Sequence, residues 1–195
     1  MENVRKSLQE AAACFTGFLQ VEQNIRRIGT ASSMIAATFQ NGKKVLICGN
    51  GGSATDAMHF AEECTGRFRK NRPALPAIAL ADPSHITCVA NDFGFEEIFA
   101  RGVEAYGREG DIFIGISTSG NSANVIKALD AAKKAGMLTI LLLGKNGGKL
   151  AGKAEVEIIA PGETSDRIQE IHICVLHIFV EMIERILFPD NYKKN

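Results

Sequence analysis

The chain has 195 residues, of which 46% are apolar, and its 22 basic residues balance 22 acidic ones. This apolar content excludes an intrinsically disordered chain, and the length suits one folded domain with a sizeable core. The zero net charge lacks the basic excess of general nucleic-acid binders, so no nucleic-acid partner is expected. No stretch approaches the roughly 20 apolar residues that a membrane-spanning helix needs, so no membrane partner is expected either.

Cysteine usage and the N-terminal residues indicate a cytoplasmic protein. The five cysteines are odd in number and show no CxxC spacing, which is typical of reduced thiols rather than of a disulfide framework or a zinc finger. Acidic Glu2 and Glu10, together with the lack of a long apolar run, argue against a signal peptide. The basic cluster within residues 67–72 is interpreted as a solvated helix end, where cations are favoured.

The segment 2–40 contains no proline and shows the periodicity of amphipathic helices. One apolar stripe is formed by Leu8, Ala12, Phe15 and Leu19. The pattern predicts two helices separated by a break near residues 21–23. We expect residues 1–41 to form N-terminal helices and residues 42–195 to form an α/β core with a C-terminal helix, all within a single domain.

After residue 42 the pattern changes to short apolar runs that alternate with helical segments. Predicted strands cover residues 43–48, 77–80, 111–116, 138–143 and, more weakly, 156–159, and predicted helices cover 54–68, 84–91, 95–106, 122–135 and 165–187. Continuous apolar strands that alternate with helices indicate a parallel sheet covered by helices on both faces. Ligands of such sheets bind outside the carboxyl ends of the strands, near a topological switch point.

A glycine-rich loop, Gly49-Asn50-Gly51-Gly52-Ser53, follows the first predicted strand. Ser53 and Asp56 fit a capping box at the start of the next helix, whose free N–H groups suit a phosphate. The competing interpretation is an ordinary tight turn. The segment also matches the loose dinucleotide fingerprint GxGxxA, but the acidic residue expected about 20 positions later is supplied only poorly, by Asp82.

A second polar loop, Ser117-Thr118-Ser119-Gly120-Asn121-Ser122, follows the third predicted strand. It contains four hydroxyls, more than helix capping by Asn121 or Ser122 requires. Hydroxyl and backbone donors at a helix start bind phosphate without needing a lysine. This composition favours a phosphate site over a simple polar turn.

Two predicted helices carry histidines with polar companions. His59 and Glu63 are four residues apart and share a helix face, although the neighbouring Glu62 competes for the role of the carboxylate. Gln169 and His177 fall within one broad stripe of the last helix, whereas His172 is rotated away from His177. Imidazole and carboxylate groups are ordinary zinc ligands and glutamine is an unusual one, so spacing alone leaves zinc a minority alternative to an acid–base pair. We interpret His85 as structural, since no partner matches it.

Three segments together resemble one family: CGNGGSATDAMHFAEE, ISTSGNSANVIKAL and SDRIQEIHICVLH are similar to bacterial phosphoheptose isomerases of the sugar-isomerase (SIS) superfamily. The resemblance covers most of the chain. It implies a flavodoxin-like, five-stranded parallel sheet flanked by helices and a homotetramer with the N-terminal helices at its centre. The implied reaction converts sedoheptulose 7-phosphate to D-glycero-D-manno-heptose 7-phosphate, the first step toward ADP- or GDP-heptose.

The resemblance also implies the roles of individual residues. It places one zinc ion per subunit on His59, Glu63, Gln169 and His177. Its substrate contacts map onto Asn50, Gly51, Gly52, Ser53, His59, Glu63, Asn91, Asp92, Ser117, Thr118, Ser119, Ser122 and Gln169. Glu63 is expected to move a proton between C1 and C2 through an enediol, with His177 as the complementary acid or base. Asp166 is expected to cap the last helix.

Two other classes of function remain as alternatives. A non-catalytic SIS module would bind a sugar phosphate or a protein partner, and one related branch binds a replication initiator protein but lacks the counterpart of His177. A nicotinamide-dependent oxidoreductase would rest only on the GxGxxA match. The joint presence of His59, Glu63 and His177 favours the isomerase.

Overall fold

The computed structural model describes residues 1–193 and contains an α/β fold preceded by two helices. The helices are α1 (Glu2–Leu19), α2 (Glu22–Gln40), α3 (Gly52–Thr65), α4 (Pro83–Phe93), α5 (Ile98–Tyr106), α6 (Ala123–Lys134) and α7 (Ser165–Leu187). The strands are β1 (Val45–Gly49), β2 (Ala77–Ala79), β3 (Ile112–Ser117), β4 (Leu138–Gly144) and β5 (Val156–Ala160). The predicted break between the two N-terminal helices falls at residues 20–21.

The five strands form one parallel sheet in the order β2-β1-β3-β4-β5, which is the flavodoxin-like order. The prediction of a five-stranded parallel sheet is confirmed. Every residue of β1 and β3 is buried, which explains why both read as continuous apolar runs. Strand β2 lies on one side of β1, and β3 lies on the other side of β1. The strand order therefore reverses at β1, and the carboxyl ends of β1 and β3 form the switch point.

Helices cover both faces of the sheet, as predicted. One apolar core joins the sheet to α2, α3 and α7, and the other joins it to α4, α5 and α6. Both α3 and α7 therefore lie on the same face and begin at carboxyl ends of strands. This arrangement brings the His59 helix against the His177 helix although they are distant in sequence.

Helix α1 lies outside both cores. It contains no buried residue, and only Cys14 and Phe18 pack against the core that includes α7. In the predicted apolar stripe, Leu8 and Leu19 remain about two-thirds exposed at 68% and 67%. The stripe is amphipathic as predicted, but in one protomer much of its apolar surface is not covered. Within residues 1–193, no helix combines the length and the apolar character required to cross a membrane.

Three sequence-based predictions of local structure are wrong. Helix α3 begins at Gly52 behind the N-cap Gly51, so Ser53 and Asp56 do not form a capping box. The reason is the backbone of Gly51, whose φ of +55° turns the chain into the helix two residues early. The last helix is preceded by Thr164 as N-cap, and Asp166 instead lies in its first turn.

The third error concerns Arg72 within the basic cluster: Arg67, Arg69 and Lys70 are exposed as predicted, but Arg72 is buried. Helix α3 ends at Thr65, so residues 67–72 lie beyond it, and the side chain of Arg72 is only 1% exposed. Arg72 Nε donates to Glu184 Oε1 over 3.0 Å. A buried arginine of this kind requires a carboxylate partner, which sequence proximity could not reveal because Glu184 is 112 residues away.

Candidate active site

The two polar loops meet at the carboxyl ends of β1 and β3, where Gly49 pairs with Ile116. The amides of Asn50 and Asn124 form a reciprocal pair across this junction. Asn50 Nδ2 donates to Asn124 Oδ1 over 2.9 Å, and Asn124 Nδ2 donates back to Asn50 Oδ1 over 2.8 Å. This pair fixes the glycine-rich loop relative to the start of α6.

The hydroxyls of the second loop bond across the loop mouth instead of capping α6. Ser117 Oγ and Ser122 Oγ lie 2.9 Å apart, and Thr118 Oγ1 lies 3.1 Å from Ser165 Oγ at the start of α7. Ser122 holds the N-cap position but makes no side-chain capping bond within the described chain. Asn121 Oδ1 accepts from the backbone N–H of Lys149 instead. Ser122 is therefore the N-cap residue, as the sequence allowed, but its hydroxyl bonds to Ser117 and not to the backbone of α6.

Gln169 connects α7 to the glycine-rich loop. Its Nε2 donates to Ser53 Oγ over 3.4 Å, and its Oε1 would lie 2.6 Å from a Cβ built on Gly52. Any side chain at position 52 would therefore displace the Gln169 amide. The structure explains Gly52 through this close approach of Gln169, in addition to the turn that the sequence suggested.

His59, Glu63 and His177 converge beside these loops. Their potential ligand atoms all lie within 4.8 Å of one another. Glu63 Oε1 lies 3.4 Å from His59 Nε2 and 3.7 Å from His177 Nε2. The two imidazole rings meet edge to face, with centroids 5.0 Å apart and an interplanar angle of 78°. Spacing had placed only the first two on a common face, and the third joins them through the packing of α7 on α3.

Glu63 is the carboxylate of this cluster. Its side chain is 11% exposed, against 68% for Glu62, whose nearest contact with His59 is 3.7 Å. Burial raises the pKa of Glu63, and the nearby His177 and His59 partly oppose that shift. Within the described residues, its second oxygen, Oε2, is buried without a hydrogen-bond partner.

These properties fit a divalent cation. A buried carboxylate with a free oxygen, placed between two imidazole nitrogens, is the His₂Glu donor set of catalytic zinc sites, which leave a position open. The two histidines are 43% and 39% exposed, so a substrate can reach the cluster from outside. Gln169 shares the face of α7 with His177, and its role as a fourth ligand stays a prediction.

Asp56 lies one turn before His59 and was not singled out as a site residue by sequence reasoning. Its Oδ2 is buried without a hydrogen-bond partner among residues 1–193. Burial raises the pKa of this carboxyl to about 6, and His59 opposes the shift. The sequence named Asp56 only as part of a capping box, because its buried environment depends on how α3 packs.

Asn91 and Asp92 are not brought to either loop through side-chain hydrogen bonds in the described protomer. They lie exposed at the end of α4, where Asn91 Nδ2 donates to Asp92 Oδ1 over 2.8 Å and Cys88 Sγ lies 3.6 Å from Asp92 Oδ2. Their assignment as substrate contacts stays a prediction.

The two remaining histidines are structural, as predicted for His85. His172 is fully buried, and its Nε2 lies 2.9 Å from the carbonyl oxygen of Leu143. Burial lowers the pKa of His172 to about 4, although its backbone hydrogen bond opposes that shift. His85 Nε2 lies 2.9 Å from the carbonyl oxygen of Ile98, which joins α4 to α5.

Asp82, the acidic residue that a dinucleotide site would need, has a structural role. Asp82 caps α4, accepting from His85 N over 2.8 Å and from Ser84 Oγ over 2.6 Å. These bonds, that of Ser84 foremost, lower the pKa of Asp82. The carboxylate that would bind a ribose hydroxyl is therefore engaged by its own helix.

Comparison with known proteins identifies the family of the chain. The SIS domain family model matches residues 10–144. The phosphoheptose isomerase of Fusobacterium nucleatum is 63% identical over 175 residues, covering 90% of each chain. That of Escherichia coli is 59% identical over 183 residues, covering 93% of this chain and 95% of the relative.

Solved structures give the same result. A phosphoheptose isomerase from Neisseria gonorrhoeae superposes with a TM-score of 0.88 at 39% identity, covering 94% of this chain and 97% of that one. One from Francisella tularensis gives a TM-score of 0.87 at 32% identity, with the same coverage. Fold and sequence therefore agree, and the chain belongs to the phosphoheptose isomerases of the SIS domain family.

Proposed function

We propose that this enzyme interconverts sedoheptulose 7-phosphate and D-glycero-D-manno-heptose 7-phosphate, supplying the first step of ADP- or GDP-heptose synthesis. The convergence of His59, Glu63 and His177 beside two phosphate-type loops is the observation that carries the proposal. A non-catalytic sugar-phosphate module needs the loops but has no use for this cluster.

The two loops are suited to hold the phosphate end of the substrate. The hydroxyl-rich residues 117–122 immediately precede α6, and the glycine-rich loop leads into α3. Helix N-termini and hydroxyl donors bind phosphate dianions. Binding energy from this end then orients the reacting carbons at the cluster.

Glu63 is suited to transfer a proton between C1 and C2 of the open-chain sugar through an enediol. Burial raises the pKa of its carboxyl, and a carboxylate with a raised pKa is a stronger base than an exposed one. His177 faces the same carboxylate oxygen and supplies or accepts the proton on the O1/O2 side. His59, on the other side, restricts the carboxylate to the space between the rings.

His59, Glu63 and His177, with Gln169 as a fourth donor, would hold one Zn²⁺ per subunit. The bound ion supplies Lewis-acid polarisation of a carbonyl oxygen. The free, buried Oε2 of Glu63 supports this assignment, since it has no protein partner among the described residues.

A homotetramer assembled through the N-terminal helices is supported by the apolar surface that one protomer leaves uncovered. The exposed side of α1 carries Leu8 and Leu19, and an apolar cavity of about 440 Å³ opens between α1, α2 and α7. A cytoplasmic location is supported by the five cysteines, which are all free in the described structure.

The test is NMR of the purified protein with sedoheptulose 7-phosphate, before chelation, after chelation and after Zn²⁺ is restored. We expect aldose heptose phosphate signals that disappear with chelator and return with Zn²⁺. Conversion that persists after complete metal removal would contradict the metal assignment alone. No conversion under any condition would contradict the isomerase and favour the regulatory module, for which a protein partner would then be sought.

A further inference from the structure

The guanidinium of Arg72 lies at the C-terminal end of α3, the helix that carries His59 and Glu63. Its Nη2 donates to the carbonyl oxygen of Glu63 over 2.5 Å, and its Nη1 donates to those of Cys64 and Gly66 over 2.7 and 3.0 Å. The last carbonyls of a helix have no partner within it, and a cation there also complements the helix dipole. Arg72 therefore caps α3 at the residue that supplies the cluster's carboxylate.

The other side of Arg72 faces α7. Glu184, which is fully buried, accepts from Arg72 Nε through Oε1 and from the Tyr192 hydroxyl through Oε2, over 3.0 and 2.7 Å. Glu184 follows His177 by seven residues, or two turns, so both lie on the face of α7 that contacts α3. One guanidinium thus joins the backbone of Glu63 to the helix of His177.

Two cross-links flank the cluster along the paired helices. The bond from Gln169 to Ser53 joins α7 to α3 near their N-terminal ends. The bonds of Arg72 join them near their C-terminal ends. His59, Glu63 and His177 lie between these two points. The loop between α3 and Arg72 adds Phe68, whose ring stacks on that of His177 with centroids 6.2 Å apart.

We propose that Arg72, held by Glu184 and Tyr192, is a positioning residue that sets the distance between the two helices carrying the His59–Glu63–His177 cluster. The inference rests on the proposed function of that cluster. Arg72 acts through the Glu63 carbonyl and through α7, and touches neither substrate nor ion. A rigid fork is required because one side chain must meet carbonyl oxygens of α3 and a carboxylate of α7 together.

Glu184→Gln tests the proposal in the full-length protein, because it keeps the shape of the side chain and removes its charge. Asp111→Asn is the matched control, because Asp111 is also buried and pairs with Lys44 Nζ at 2.5 Å. This pair lies at the amino ends of β1 and β3, whereas the cluster lies at the carboxyl ends of the strands. Three quantities are measured for each variant: Tm, Zn²⁺ affinity by competition with a chromophoric chelator, and the separate values of kcat and KM.

We expect Glu184→Gln to weaken Zn²⁺ affinity and to lower kcat by about 10-fold each, because groups that orient metal ligands have effects of this order. KM should change less than about 2-fold, since the phosphate loops are untouched. Asp111→Asn should lower Tm without changing Zn²⁺ affinity or kcat. Tyr192→Phe removes one bond to the same carboxylate and should give a smaller loss of Zn²⁺ affinity and kcat. It replaces Glu184→Gln as the test if that variant does not fold.

A drop in Tm with unchanged Zn²⁺ affinity and kcat in the Glu184 or Tyr192 variant would overturn the proposal and leave the ion pair a purely structural role. The proposal is also overturned if Asp111→Asn reduces Zn²⁺ affinity as much as they do. Failure of the proposed function is distinguishable. A wild-type protein that does not isomerise sedoheptulose 7-phosphate refutes the function, while the Zn²⁺ affinities of the variants still decide the positioning role.

Discussion

Glu63 lies between two imidazole rings, with one oxygen facing both rings and the other buried. Burial raises the pKa of the carboxyl, which makes the carboxylate more basic. Both histidines oppose that shift and so favour the ionised form. Its neighbour Glu62 is 68% exposed and approaches His59 to 3.7 Å from outside the cluster. The two carboxylates therefore form a matched pair for testing the site.

Replacing Glu63 with glutamine should lower kcat by about 10²–10⁴-fold, because the amide cannot accept the proton from C1. Glu62→Gln is the control and should change kcat less than about 3-fold, since its side chain is 68% exposed. Steady-state kinetics with sedoheptulose 7-phosphate measures both. Near-normal turnover of Glu63→Gln would exclude this residue as the base.

His172 makes a second residue-scale prediction, for stability. Its folded-state pKa of about 4 lies below its usual 6.5, so the unfolded chain binds the proton first as pH falls. Its stabilising contribution is therefore complete above about pH 6.5 and decreases between pH 6.5 and 4, by about 1.4 kcal/mol per pH unit. Urea unfolding of wild type and His172→Leu across this range should show the steeper loss in the wild type. Parallel curves would contradict the prediction.

At the scale of elements, the site depends on how strand ends and helix starts are joined. The β1–α3 loop and the β3–α6 loop meet through the reciprocal amides of Asn50 and Asn124. The start of α7 joins them through Thr118–Ser165 and Gln169–Ser53. Each bond links segments that follow different strands, so the pocket is assembled only when β1, β3 and β5 lie in one sheet.

Asn124→Ala should loosen the glycine-rich loop, because it leaves the buried part of the Asn50 amide without its partner. We expect KM for sedoheptulose 7-phosphate to rise about 10-fold with a smaller effect on kcat, since Asn124 lies at the phosphate-type loops and not at the cluster. Asn191→Ala, which removes an amide bond to the Asn71 carbonyl far from these loops, is the control. An unchanged KM in Asn124→Ala would show that Asn50 needs no fixed orientation.

At the scale of the whole molecule, α1 is the element that the single protomer does not explain. It buries no residue, yet Leu8 and Leu19 continue an apolar stripe along its exposed side. Apolar surface arranged in a stripe is typical of an interface. The proposed tetramer would cover it.

The double variant Leu8→Glu/Leu19→Glu should therefore dissociate the tetramer, because two carboxylates on each copy would be buried without partners. Light scattering after size exclusion measures the mass. Lys133→Glu, on the exposed end of α6, is the control and should leave the mass unchanged. A double variant that keeps the wild-type mass would show that this face of α1 lies outside the interface.

The fold and the two loops could be predicted from the sequence because each depends on local patterns. Apolar runs identify buried strands, and glycine and hydroxyl residues identify the turns that follow them. The pairing of His59 with Glu63 was also accessible, since helical spacing alone places them together. The choice of Glu63 over Glu62 was not accessible, because it depends on which side of α3 faces α7.

The set of elements, their parallel arrangement and the chemistry of the residues at the strand ends therefore follow from local patterns in the chain. The meeting of distant groups follows only from packing: His177 at Glu63, Asn124 at Asn50, and Arg72 at Glu184. The predicted cap at Ser53 was wrong for a local reason, because the positive φ of Gly51 starts the helix two residues earlier. The physical reason that the distant groups could not be paired from the sequence is range. Periodicity and turn chemistry act over a few residues, whereas burial and partner choice depend on contacts between groups more than 100 residues apart, such as Arg72 and Glu184 at a separation of 112 residues.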